Sequence, residues 1–170
     1  ENAISVILNN TNIDLQSDEN GDLVVELNGK DVSKEIRTPE ISRLSSDIAT
    51  KKSVRAFLFE LQRNFGKSTS IVAEGRDMGT HVFADADFKF FIDASVEERT
   101  KRRFVQLNEA GITVDIENLK KDIESRDYQD KNRQIAPLHP AVNAVIIDTT
   151  NLEIDRVVDI ILKKTKGVQE

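Results

Sequence analysis

The strongest constraint on the fold is an alternation, in the second half of the chain, between short apolar runs and stretches with helical periodicity. The apolar runs lie at 70–73, 88–92 and 144–147. The helical stretches lie near 95–110, 116–128 and 152–164. Strands separated by helices pair in parallel, because each helix returns the chain to the same end of the sheet. We therefore predict an α/β core with a parallel sheet and flanking helices.

The first 36 residues have a different pattern, with apolar residues at every second position. Ile4, Val6 and Leu8 form the first such run, and similar runs follow at 13–15 and 23–27. Clusters of Asn, Asp and Gly separate these runs, which is typical of a small antiparallel sheet. We predict a β-rich insert over 1–36, followed by the core over 37–170.

Two helices are predicted next. Thr38, followed by a proline, is a typical N-cap, and a second apolar stripe runs from Lys52 to Gly66.

The sequence Gly66-Lys67-Ser68-Thr69 matches the end of a phosphate-binding Walker A motif. That motif also needs a glycine where Leu61 stands, and a strand rather than a helix before it. We therefore interpret Gly66 as a helix stop.

Composition excludes several classes of function. The chain has 24 basic and 30 acidic residues, a net charge of −6, and a pI near 5.1, which disfavour nucleic acid and anionic membranes as partners. It has no cysteine, so disulfides, thiolate metal sites and a cysteine nucleophile are excluded. His81 and His139 have no partner at metal-ligand spacing. The N-terminal residues do not resemble a signal peptide, and we expect a cytoplasmic protein.

The segment Glu74–Thr80 carries an Arg76-Asp77 pair between glycines, directly after the predicted strand at 70–73. Ligands of α/β proteins bind beyond the carboxyl ends of strands. Arginine binds phosphate through two parallel hydrogen bonds, and aspartate accepts a hydrogen bond from an exocyclic amine such as N4 of cytosine. The alternative is that Arg76 and Asp77 only form a salt-bridged turn. Without further support, the residues favour this alternative over a ligand site.

A second cluster spans 126–133, where Arg126, Asp130 and Arg133 share a face if the segment is helical. An ordinary surface ion pair explains the first two of these. A phosphate-binding rim explains all three, because Arg133 lies where the helix must end before Pro137. The spacing leaves both alternatives open.

Three further arginines, Arg99, Arg102 and Arg103, lie in the stretch at 95–110. Acidic residues precede them in the first turn, which suits the helix dipole and favours a solvated face. The same arginines could instead close over nucleotide phosphates.

Taken in order, these motifs resemble bacterial cytidylate kinases over nearly the whole chain. The segments that carry the resemblance are Leu27–Val32, Ile36-Arg37-Thr38-x-Glu40, Ser53-Val54-Arg55 with Gln62-Arg63, Glu74–Phe83, and Arg126–Leu138. The resemblance implies transfer of the γ-phosphoryl group of ATP to CMP or dCMP, with Mg²⁺, on a P-loop NTPase fold. It further implies a monomer, and a nucleotide-binding role for the insert at 1–36.

The resemblance also implies residue roles. Ser46, Arg55 and Asp77 would contact cytosine, and Asp130 with Arg126 would contact the ribose hydroxyls. The phosphates would bind Arg76 and Arg133. The stretch at 95–110 would be the lid helix, in which Arg99 and Arg102 would bind ATP. The residues nearest the transferring group would be Arg126, Arg133, Arg102 and Arg103.

One feature of the family is missing from the sequence, namely a complete Walker A loop with its central first strand. We expect that the 170 residues are the C-terminal part of a kinase, that this part holds the acceptor half of the site, and that it is inactive alone. The alternatives are a non-catalytic module that binds cytidine nucleotides and a structural remnant that binds none.

Overall fold

A computed structural model describes residues 2–67 and 70–166. The chain forms two compact units, Glu1–Ile71 and Val72–Glu170. The predicted boundary at residue 36 and the nucleotide-binding role of 1–36 stay predictions. Across the described residues, every helix is too short or too polar for a membrane span.

The first unit combines helices with a small antiparallel sheet. Its elements are α1 (Asn2–Asn9), β1 (Ile13–Ser17), β2 (Leu23–Leu27), β3 (Lys30–Asp31), a 3₁₀ turn (Glu35–Arg37), α2 (Pro39–Ile48) and α3 (Lys52–Phe65). The sheet order is β1-β2-β3, and a two-residue turn of Asn28 and Gly29, both with positive φ, joins β2 to β3. The Oγ1 of Thr38 accepts a hydrogen bond from the Ile41 amide at 3.3 Å. The two helices predicted for this region are therefore confirmed.

The strand predicted at Ile4, Val6 and Leu8 is wrong, because these residues lie in α1. Ile4 and Leu8, four positions apart, are half-buried, whereas Val6 is 62% exposed. The helix α1 packs against α3. Apolar residues at positions 4, 6 and 8 satisfy a period of two, but positions 4 and 8 also satisfy helical spacing, and packing against α3 selects the helix.

The second unit is a mixed α/β structure with a parallel sheet. Its regular elements are β4 (Phe90–Asp93), α4 (Val96–Glu109), α5 (Ile116–Asn132), β5 (Val145–Asp148) and α6 (Ile154–Lys166). The strands β4 and β5 pair in parallel, from Phe90 opposite Val145 to Asp93 opposite Asp148. The connection between them contains α4 and α5, which pack against each other. The predicted alternation of strands and helices is thus confirmed from residue 88 onward.

The strand predicted at 70–73 is wrong. This segment forms no strand, and Val72 is fully exposed. A strand is stable only when its backbone N–H and C=O groups pair with a neighbour. No described strand lies hydrogen-bonded beside this segment. Its apolar composition is therefore not sufficient to make it a strand.

Local signals explain where the helices of this unit begin and end. The Oγ of Ser95 accepts a hydrogen bond from the Glu98 amide at 3.2 Å, and Asp115 caps α5 in the same way at 2.8 Å. After α4, Gly111 adopts a φ of 75°, a conformation that glycine takes without strain. The core of the unit contains Leu107, which is 2% exposed.

Candidate functional site

Asp130, near the C-terminus of α5, is the centre of a charged cluster. Its side chain is 8% exposed and accepts a hydrogen bond from Arg76 Nε at 2.9 Å. Arg133 Nη1 lies 3.6 Å from the other carboxylate oxygen, and Arg126 Nε lies 3.9 Å from the first. A buried carboxylate is stable only when it is paired, and this one faces three guanidinium groups.

Arg133 connects this carboxylate to Asp77. Its Nη2 lies 3.8 Å from Asp77 Oδ1, and both side chains are 13% exposed. Arg133 Nε also donates to the Ala136 carbonyl at 2.6 Å, which fixes the plane of the guanidinium group. Three arginines therefore surround two aspartates, and the cluster carries one net positive charge.

The end of α5 places these side chains. Arg126 and Asp130, predicted to share a helix face with Arg133, do so within α5, whereas Arg133 approaches Asp130 from just beyond the helix end. The helix ends at Asn132, so Arg133 has extended backbone, with φ −65° and ψ 144°. The Leu138 amide donates to the Asp130 carbonyl at 2.8 Å, which ties the following loop to the helix end.

Asp77 is held by an unusual turn. The next five residues, Met78–Val82, form one π-helical turn in which the His81 and Val82 amides both donate to the Asp77 carbonyl. Such turns are rare and frequently occur at functional sites. A Cβ at Gly75 would lie 3.1 Å from the Met78 side chain, so a larger residue there would require the Met78 side chain to shift by a few tenths of an ångström.

Arg99 does not contact the cluster residues in any hydrogen bond or ion pair of the described structure. It pairs with Asp127 through two hydrogen bonds, of 2.9 and 2.6 Å. This bonding raises the pKa of Arg99 above its ordinary value, against the opposing effect of partial burial.

Arg102 and Arg103 are also engaged with neighbours. Arg102 pairs with Glu98 at 2.7 Å and donates to the Thr149 hydroxyl and carbonyl at 3.0 and 2.6 Å. Arg103 donates to Gln106 Oε1 at 2.6 Å. The predicted contacts of these arginines with ATP would require exchange of the bonds described here, and they stay predictions.

Thr149, which was not among the predicted site residues, is 3% exposed. Its Oγ1 donates to the Asp93 carbonyl at 3.0 Å and its amide donates to the same oxygen at 2.8 Å. Together with Arg102, it joins the ends of β4 and β5 to α4. Its position just after the predicted apolar run at 144–147 is the available signal, because ligands and polar groups of α/β proteins gather beyond the carboxyl ends of strands.

The remaining predicted residues lie in the first unit or beyond the described side chains. Arg55 Nη1 donates to the Ala49 carbonyl at 3.5 Å. The side chain of Ser46, and Ser68 and Thr69 of the Walker-like sequence, lie outside the described residues. Among residues 2–67 and 70–166, no group of three or more His, Cys, Asp or Glu side chains is arranged to hold a metal ion.

Comparison with known proteins identifies the family of the chain. A family model described as cytidylate kinase matches residues 1–167. The chain belongs to the cytidylate kinase family. A cytidylate kinase from Lactobacillus johnsonii is 45% identical over 171 residues, which cover 98% of this chain and 74% of the relative. The cytidylate kinase of Oleidesulfovibrio alaskensis is 49% identical over 84% of this chain and 65% of its own length.

A third cytidylate kinase, from Shigella boydii serotype 4, is 49% identical over 82% of this chain and 62% of the relative. The matches thus span from 62 to 74% of the length of these three relatives. The expectation that a P-loop segment precedes Glu1 stays a prediction.

Proposed function

We propose that this chain carries the acceptor-nucleotide site of a cytidylate kinase that transfers the γ-phosphoryl group of ATP to CMP or dCMP. The observation that carries the proposal is the cluster of Arg76, Arg126 and Arg133 around Asp77 and Asp130, in a chain of this family. Family membership supports the kinase reaction over the two alternatives, a non-catalytic nucleotide-binding module and a structural remnant. The P-loop NTPase fold, with its central strand, belongs to this proposal.

Charge explains why a nucleoside monophosphate suits the cluster. Without a ligand the cluster has one net positive charge, and the Arg76 side chain is 43% exposed. A phosphate monoester near pH 7 carries a charge between about −1.5 and −2, and guanidinium groups bind it through pairs of hydrogen bonds. In the proposal Arg76 and Arg133 bind the phosphate of CMP, whose charge of about −1.5 to −2 outweighs the single net positive charge of the cluster.

The two aspartates would select the rest of the nucleotide. Asp130 Oδ1 lies 3.6 Å from Arg133, beyond hydrogen-bond distance, so this oxygen can accept a ribose hydroxyl while Oδ2 keeps its bond to Arg76. Arg126 would contact the ribose from the same helix face. Asp77, oriented by Arg133, would accept from the exocyclic amine of cytosine. Cytosine contacts of Arg55 and Ser46, which belong to the first unit, stay a prediction from the resemblance.

These residues would act by positioning and by charge neutralisation. Phosphoryl transfer needs little covalent chemistry from the protein, because the barrier falls when the acceptor oxygen is aligned and the developing charge is stabilised. ATP and Mg²⁺, when bound, supply the phosphoryl group and neutralise its charge. The described residues form no cluster that fits Mg²⁺, so the roles proposed here concern the acceptor alone. A monomer in the cytoplasm stays the prediction for the protein.

Base selectivity tests the proposal. We expect CMP to bind more tightly than UMP, as measured by isothermal titration calorimetry on the chain. Asp77→Asn should reduce CMP affinity about 10- to 100-fold, the value of a hydrogen bond to a charged group, and Arg55→Met should also reduce the preference for CMP. Asp87→Asn, an exposed change in the same unit, is the control.

Each result has a distinct meaning. If both variants keep the wild-type preference for CMP over UMP, the base-recognition residues are wrongly assigned. Absence of CMP binding by the wild-type chain would contradict the proposed site as a whole. Binding of CMP without phosphoryl transfer when Mg²⁺-ATP is added, measured on the intact protein, would instead favour the non-catalytic module.

A further inference from the structure

The bond between Arg99 and Asp127 is the strongest ion pair between α4 and α5 among the described residues. Arg99 Nη1 and Nη2 donate to the two carboxylate oxygens of Asp127 at 2.9 and 2.6 Å. Arg99 Nε donates to the Ala94 carbonyl at 3.0 Å, which anchors the guanidinium group at the start of α4. The side chains are 30% and 17% exposed. A bidentate pair of this kind fixes orientation as well as distance.

Asp127 occupies an informative position in α5. It directly follows Arg126 and precedes Asp130 by three residues, and both of these belong to the charged cluster. Residues of one helix cannot rotate independently about its axis. The bond that holds Asp127 against α4 therefore sets the direction in which Arg126 and Asp130 project.

A second pair between the same helices allows comparison. Lys120 Nζ lies 2.9 Å from Glu97 Oε1, and this bond holds the pKa of Glu97 below and that of Lys120 above the ordinary values. Lys120 precedes Asp127 by seven residues, about 10 Å along the helix, toward the end distant from the cluster. The Glu97 side chain is 71% exposed, so the pair is screened by solvent.

We propose that Arg99 and Asp127 are positioning residues for the acceptor nucleotide. Their ion pair sets the rotation of α5 and thereby holds Arg126 and Asp130 in the geometry that binds the nucleotide. In this role Arg99 acts through Asp127, and its contact with ATP stays a separate prediction. The inference rests on the proposed function, because it concerns the affinity of the same site for CMP.

The test compares three variants by CMP titration calorimetry, at a temperature well below each melting transition. Asp127→Asn should weaken CMP binding about tenfold, since a displacement of about 1 Å at a site can cost up to about 100-fold. Arg99→Lys keeps the charge but loses the planar fork, and we expect a loss of about threefold. Lys120→Gln, which breaks the other pair between α4 and α5, should leave CMP affinity within about twofold.

The double variant Arg99→Lys/Asp127→Asn should bind CMP no more weakly than the more affected of its two single variants, because each change disrupts the same ion pair. A purely structural role would lower the melting temperature of Asp127→Asn and leave its CMP affinity unchanged, and this result would overturn the inference. An equal loss in Lys120→Gln would overturn it too. If Asp127→Asn does not fold, Arg99→Lys gives the same comparison. Absence of CMP binding by the wild-type chain would contradict the proposed function itself. A change confined to the variants would concern only the positioning role of Arg99 and Asp127.

Discussion

Replacement of Asp130 by asparagine removes the central negative charge of the cluster and keeps its shape. Asp130 is 8% exposed and faces Arg133, which is 13% exposed, so solvent screens this contact poorly. Removal of one partner from a buried ion pair costs about 3–5 kcal/mol. Arg76 and Arg126 are 43% and 39% exposed and can recover water, so we expect the lower end, about 3 kcal/mol.

The assay is thermal and urea unfolding of Asp130→Asn, followed by circular dichroism. For a chain of this length, about 3 kcal/mol corresponds to a decrease in melting temperature of roughly 6–12 °C. The control is Asp122→Asn, an exposed change on the same helix, which should alter stability by less than about 0.5 kcal/mol. A decrease in the free energy of unfolding of less than about 1 kcal/mol in Asp130→Asn would refute the argument. It would mean that the three guanidinium groups are stable without the charge of the buried carboxylate.

Two further substitutions test the packing that supports the cluster. Thr149→Val keeps the side-chain volume but removes the hydroxyl that donates to the Asp93 carbonyl and accepts from Arg102. We expect the free energy of unfolding, measured in urea, to fall by about 1–2 kcal/mol. Thr50→Val, an exposed change, is the control and should alter it little. Leu107→Ala should cost about 2–5 kcal/mol, because it opens a cavity at a side chain that is 2% exposed. The same change at Leu162, which is 44% exposed, should cost less than about 1 kcal/mol, and equal losses would contradict the placement of the core.

The helices of the second unit show that local sequence pattern is sufficient to predict where most of them lie. Predicted stretches at 95–110, 116–128 and 152–164 correspond to Val96–Glu109, Ile116–Asn132 and Ile154–Lys166. Capping side chains and apolar periodicity are properties of neighbouring residues, so they can be read without knowledge of the fold. The helix α5 ends at Asn132, four residues beyond the predicted end at 128.

The first helix shows where local pattern is ambiguous. Ile4, Val6 and Leu8 satisfy the period of a strand, while Ile4 and Leu8 satisfy that of a helix. Contact with α3 resolves the ambiguity, and α3 begins more than forty residues later. The segment at 70–73 fails for a related reason, because strand formation depends on a hydrogen-bonding neighbour that its own sequence does not specify.

The sequence by itself determined the mixed α/β character of the second unit, the starts of most helices, and the shared face of Arg126 and Asp130. The motifs also carried the family resemblance that the comparison confirmed. Only the tertiary structure decided that Arg76 bonds Asp130, 54 positions away, and that Arg99 bonds Asp127 rather than contacting the cluster. The physical reason is one of range: periodicity and capping act over a few residues, whereas the partner of a charged side chain is set by how separate elements pack.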